Sequence, residues 1–448
     1  MIIRIQNAEI VNEGKRFTGS VTIADNIIRD IIPADDSLHQ LPHADQVVEA
    51  DGMILMPGMI DEHVHFREPG LTHKADIVSE SRAAAAGGVT TIFDMPNVIP
   101  PTVTHEALSE KFAMMNGRCV VNYSLYFGAT QSNVELLPQL DTNSVCGVKL
   151  FMGSTTGNML VEDEETLRAV FTRSPLLIVA HCEDSSIIAS NLATYRKCYG
   201  NDPDVSLHPK IRSTEACLRS TTLAIKLAKS AGARLHIAHI STAEELKLFN
   251  TQPLCKDKRI TAEACIPHLT YTDKDYSRLG ALIKCNPAIK SDKDRKEIRC
   301  ALNDNRIDTV ATDHAPHLLS EKVGGCVRAA SGIPMVQFVI PCMFELYEEG
   351  IISLERIVKL LCHNPATLFQ ITRRGYIREG FYADLTLLKR EQWILKKQDI
   401  LSKCAWSPLE GETFAWQVKQ TFCNGRQVFK RGDINAFRPC GERICFNR

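Results

Sequence analysis

The chain has 448 residues, 44% of them hydrophobic and 23% charged, with a formal net charge of -1. That length suits one large domain with a smaller companion, and the apolar share allows a substantial core. The balanced charge gives no basis for gripping nucleic acid or an anionic membrane surface, and no apolar run approaches the roughly 20 residues that a bilayer span needs.

Residues 1–52 read as short strands separated by turns, from Ile2–Ile5 to Ile27–Ile32. Met1-Ile2-Ile3-Arg4 lacks the charged start and apolar core of a secretory signal. The sixteen cysteines are scattered, with no Cys-x-x-Cys pair. They are therefore expected to be reduced thiols in a cytoplasmic protein.

An apolar run, Met53 to Met59, then leads into Asp61-Glu62-His63-Val64-His65. On a strand, residues two apart point the same way, so His63 and His65 form a parallel pair of imidazoles. Strand-like runs follow at Val89–Met95, Val120–Phe127, Val145–Phe151, Leu176–Ala180, Arg234–Ile240, Ile260–Cys265 and Ile307–Ala311. Helical stretches at Lys74–Ala86, Glu162–Arg173, Ser213–Ala231 and Asp292–Asn303 lie between them. With Ile54–Pro57 counted first, the alternation predicts an α/β fold, a (β/α)8 TIM-type barrel over residues 53–370. The rival doubly wound sheet lacks its usual G-x-G-x-x-G turn. Residues 371–448 return to strands, with Asn424-Gly425 as a hairpin turn. The two ends, 1–52 and 371–448, are expected to form one small β-sandwich domain.

Catalytic residues of such barrels sit at the C-terminal ends of strands. Here those ends carry His63 and His65, Lys149, His181, His239 and Asp313. Singly, each has a plain reading as a hydrogen-bonded core residue, and His236 is read as core. Lys149, costly as a bare buried ammonium, either pairs with a carboxylate or is carboxylated by CO2. Together the donors fit two metal ions. One would take His63, His65, carboxylated Lys149 and Asp313; the other would take the same carbamate with His181 and His239. Zinc suits this nitrogen and oxygen set best, with manganese, cobalt and iron as alternatives.

His63-Val64-His65-Phe66-Arg67-Glu68-Pro69-Gly70, Asp94-Met95-Pro96-Asn97, Lys284-Cys285-Asn286-Pro287 and Thr312-Asp313-His314-Ala315-Pro316-His317 together resemble the amidohydrolase superfamily, and within it the dihydroorotases. The resemblance covers nearly the whole chain. It implies two zinc ions bridged by carboxylated Lys149, with Asp313 also the general acid/base. It assigns Arg67, Asn97 and His317 to a substrate α-carboxylate and Asn286 to the ring. The implied activity is reversible interconversion of dihydroorotate and N-carbamoyl-L-aspartate in pyrimidine biosynthesis, with a small-molecule substrate and a homodimer as the family-level assembly. Two places depart from the family pattern. Ser331-Gly332-Ile333-Pro334-Met335-Val336-Gln337 stands where many members have Gly-Leu-Glu, and Pro267-His268-Leu269 where many have Pro-His-His. Allantoinases and hydantoinases or dihydropyrimidinases share the metal ligands and form the alternative. A silent scaffold would have lost ligands that this chain keeps. Residues 315–332, with Gly324-Gly325 as hinge, are expected to close over the substrate.

Overall fold

The computed structural model describes residues 1–36, 43–153, 159–433 and 437–448. Eight parallel strands form one sheet in strict chain order. They are β1 (Met59–Val64), β2 (Val89–Asp94), β3 (Asn122–Gly128), β4 (Gly147–Phe151), β5 (Ile178–His181), β6 (Leu235–Ile237), β7 (Ile260–Cys265) and β8 (Thr309–Ala311). Apart from Ile260, every residue of these strands is buried, which is why they read as apolar runs rather than alternating ones. The cylinder nearly closes where β8 returns to β1. His65 N donates to His314 O at 2.8 Å and His314 N to His63 O at 3.3 Å. The Thr312 hydroxyl donates to Asp61 Oδ2 at 2.6 Å across the same seam.

Helices on the outside begin where the sequence supplies a capping oxygen. Asp76, Thr104, Asp163, Asp184, Ser213 and Ser291 each accept a backbone N–H from the first turn of the helix they precede. Helices His105–Met115, Ser185–Tyr199 and Val339–Glu348 were not evident in the sequence pattern.

Both termini build a second, mixed sheet. Its order runs Arg426–Lys430, Thr413–Cys423, Leu385–Ile394, Met53–Pro57, Ile2–Asn12, Lys15–Ala24, Ile27–Pro33, with Gln46–Glu49 beside Ile2–Asn12. Its own core gathers Ile3, Ile5, Ile10, Val21, Leu55, Leu385, Leu387 and Phe422. The predicted Asn424-Gly425 turn is present, both residues having positive φ.

The start of the barrel needs correction. Met53–Pro57, expected as its first strand, pairs with Ile2–Asn12 and Leu385–Ile394 in the terminal sheet. The barrel starts instead at Met59. Gly58 divides the two strands at a point where an added Cβ would lie 2.2 Å from the Thr90 side chain.

Inside the barrel the side chains fall into layers. Phe93, Tyr126, Phe369 and Phe446 plug the lower end, with Phe93 and Phe369 ring centroids 4.9 Å apart. Above them lies a polar layer of Glu62, His236 and Glu263. At the top, the C-terminal ends of the strands open into a cavity. All sixteen cysteines are free thiols. Among the described residues no helix is long and apolar enough to cross a membrane.

Candidate active site

Ten sequence-predicted residues converge on one cavity of about 480 Å³. His63, His65, Lys149, His181, His239 and Asp313 line its floor, and Arg67, Asn97, Asn286 and His317 its wall.

His63 Nδ1 lies 2.8 Å from Glu263 Oε1 on β7. Burial would raise the Glu263 pKa, but His63 and the backbone N–H of His239 hold this carboxyl below its usual range. His63 Nδ1–H therefore donates to the carboxylate, which leaves a lone pair on His63 Nε2. His65 Nδ1 lies 2.8 Å from Asn97 Oδ1, which has the same effect on His65 Nε2. Both Nε2 atoms face Asp313 Oδ1, at 3.3 and 3.1 Å. Burial opposes ionisation of Asp313, yet the two imidazoles and Lys149 hold its pKa far below normal. Three lone-pair donors aimed at one point repel unless a cation lies among them, and their ligand atoms all fall within 4.8 Å of one another.

The second half repeats this logic. Glu183 Oε2 lies 2.9 Å from His181 Nε2 and also accepts from Arg212 Nη1, so the His181 proton sits on Nε2. His181 Nδ1 then faces His239 Nε2 at 3.0 Å. Beside them Lys149 Nζ is buried without a hydrogen-bond partner, 5.1 Å above the Phe151 ring. Burial pushes the pKa of this amine down. An orphaned amine, the His181 Nδ1 lone pair and the His239 imidazole, whose Nδ1 has no partner to fix its tautomer, fit a metal-binding centre, as the floor set does.

On the wall, Arg67 is 4% exposed and forms no ion pair among the described residues. Its Nε donates to Pro316 O at 3.0 Å, and Nη2 lies 3.2 Å from His317 Nε2. Burial lowers the Arg67 pKa to about 10. His317 Nε2 donates to Ser331 O at 3.1 Å, and Nδ1 accepts from Lys74 Nζ at 3.2 Å. Burial and the neighbouring Arg67 and Lys74 keep this imidazole neutral. His208 Nε2 donates to Cys285 O and Asn286 Oδ1 at 3.1 and 3.0 Å, so Asn286 turns its amide nitrogen away from His208. Arg67, His239 and Asp313 all have positive φ, at 66°, 41° and 48°. Left-handed backbone at three non-glycine strand ends is a cost that functional sites characteristically carry.

His236, His268 and His314 are held by the surrounding fold. His236 Nδ1 lies 2.8 Å from Thr261 Oγ1, and His268 Nε2 donates to Pro287 O at 3.0 Å. His314 Nε2 donates to Glu80 at 2.8 Å, while its Nδ1 accepts the backbone N–H groups of Met335 and Val336. The segment expected to close over the cavity already lines it, through Cys326 to Gly332.

Sequence reasoning missed Glu263, Glu183, His208 and Arg212. A carboxylate inside the apolar run Ile260–Cys265 was the available signal for Glu263. The others lie in loops or short turns with no periodic position to mark them.

A family model described as the amidohydrolase family matches residues 54–428. A dihydroorotase of Halobacterium salinarum is 33% identical over 92% of this chain and 98% of that protein. An allantoinase of Bacillus velezensis is 31% identical over 96% of this chain and 94% of that protein. Among solved structures, the L-hydantoinase of Arthrobacter aurescens superposes with a TM-score of 0.92 at 26% identity, covering 99% of both chains.

Proposed function

Because the chain belongs to the amidohydrolase family, we propose that it is a dihydroorotase, interconverting (S)-dihydroorotate and N-carbamoyl-L-aspartate. The observation that carries this choice is Arg67. A guanidinium buried at the cavity wall without a counter-ion is costly, and a substrate carboxylate supplies the missing charge with a matching planar fork. Dihydrouracil, hydantoin and allantoin, the rings of the alternative reading, bring no carboxylate to it.

His63, His65 and Asp313 would hold one zinc ion and His181 and His239 a second, with Lys149 carboxylated between them. The depressed pKa of Lys149 favours the neutral amine, the form that adds CO2. Bound there, the ions would supply a water made acidic near neutral pH and a polarised scissile carbonyl. Asp313, held ionised and facing His63 and His65, takes a proton from the attacking water. It returns that proton to the ring nitrogen as the C–N bond breaks, and ring closure runs these transfers backwards. Arg67, Asn97 and His317 orient the carboxylate, and Asn286 offers its amide nitrogen to the ring.

The test offers dihydroorotate, allantoin, hydantoin and dihydrouracil separately to zinc-reconstituted protein, with Asp313→Ala as control. Turnover of dihydroorotate that the substitution abolishes supports the reading. Preferential turnover of an uncharged ring overturns it.

A further inference from the structure

Lys322 lies outside the cavity wall, on the short turn Leu319–Lys322, and is 5% exposed. Its ammonium has three protons and three acceptors, all backbone carbonyls: Lys284 O at 2.9 Å, Ala330 O at 2.8 Å and Gly332 O at 2.8 Å. None is a carboxylate, so only the carbonyl dipoles and the Trp406 ring, 5.8 Å from Nζ, offset a burial that lowers the Lys322 pKa to about 7. The three carbonyls are best met by the protonated form. These carbonyls belong to two separate pieces of cavity wall. One leads directly into Asn286, and the other is the strap Ala329–Gly332. The two also touch through Gly332 N, which donates to Lys284 O at 2.9 Å. The outer end of the strap has its own tether. Asp202 accepts from the backbone of Gly325, Val327 and Arg328, at 2.8, 2.8 and 3.1 Å.

We propose that Lys322 is a positioning residue for substrate binding, its ammonium clamping the strap against the segment that carries Asn286. The strap is thereby a fixed wall at its inner end, not a flap. The wall sets how closely the ring approaches Asn286, so the clamp acts on binding and leaves the chemical step alone. This rests on the reading of the cavity as a substrate site, whichever ring it takes.

The experiment compares Lys322→Met with Asp202→Ala by hydrogen exchange, metal content and steady-state kinetics on the ring that wild type turns over. Loss of Lys322 is expected to speed exchange at 284–286 and 330–333, and to raise KM about tenfold or more with kcat within about threefold, the signature of lost uniform binding. Metal content stays at the wild-type level. Loss of Asp202 is expected to speed exchange only at 325–328, with KM within about twofold of wild type. An unchanged KM and exchange pattern in Lys322→Met overturns the proposal, as does a fall in kcat together with metal, or identical behaviour of the two variants. If Lys322→Met does not fold, Lys322→Gln keeps two donors on a shorter arm: an intermediate KM supports the clamp, a wild-type KM refutes it. Exchange and metal content decide the matter even where the dihydroorotase reading fails.

Discussion

Replacing Arg67 by Met removes a buried charge while keeping a long apolar side chain in its place. The structure fixes what is lost. The guanidinium is 4% exposed, Nε is committed to Pro316 O, and no carboxylate pairs with it among the described residues. Bound dihydroorotate would complete a desolvated ion pair here, and truncating one partner of such a pair costs about 2–5 kcal/mol. At 1.36 kcal/mol per factor of ten, kcat/KM for dihydroorotate falls roughly 30- to 5,000-fold. The assay follows ring opening of dihydroorotate beside that of dihydrouracil, which has the ring without the carboxylate. The uncharged ring gains nothing from Arg67, so its kcat/KM stays within about threefold of wild type. Thermal stability should hold or rise, since the free protein no longer buries an uncompensated cation. Parallel losses on both rings, with metal content intact, would refute the reasoning, because Arg67 would then be serving the fold of the cavity.

Lys149→Ala should abolish turnover and lower bound metal, with partial return of both when acetate fills the vacated space; full metal content and activity would exclude a bridging role for Lys149. Glu263→Gln leaves His63 without an anionic partner at Nδ1, and metal affinity measured against a competing chelator should fall about 10–100-fold, the usual cost of such a partner. The Asp202 carboxyl gives a pH prediction. Burial raises its pKa, but Arg328 and the N–H groups of Gly325, Val327 and Arg328 outweigh this and hold it below the ordinary 3.8. A depressed carboxylate pKa contributes stability that is present above that ordinary value and lost as pH falls toward the folded one. The protection factor at 325–328, which corrects each rate for intrinsic exchange at that pH, should therefore fall below about pH 4 in wild type, and Asp202→Asn should show low protection with no such step.

The barrel was legible because a parallel strand buried on both faces leaves a continuous apolar run, and because chemistry-bearing side chains stand where those runs end. His63, His65, Lys149, His181, His239 and Asp313 could be read that way. Met53–Pro57 could not be assigned, since a strand of the terminal sheet and a strand of the barrel follow one another with only Gly58 between them. Both are apolar, and nothing local says which sheet each joins. The residues that fix tautomers and walls were illegible for a different reason. His63 and Glu263 lie 200 positions apart, and His317 and Ser331 meet only across a loop. Such partners are chosen by the tertiary fold, which places no mark on the spacing of either residue. The tether of the Gly324-Gly325 segment was illegible in the same way: Asp202, which accepts from Gly325 N, lies 123 positions away.

The seam between β1 and β8 has a consequence for how the protein is made. His63 and His65 emerge early in synthesis, but Asp313 follows some 250 residues later, and the hydrogen bonds of His314 to His63 and His65 close the cylinder at the same place. A nascent chain therefore carries two exposed imidazoles through most of its translation with no completed cradle for an ion. The cradle of His63, His65 and Asp313 is complete only once the first and last barrel strands have met.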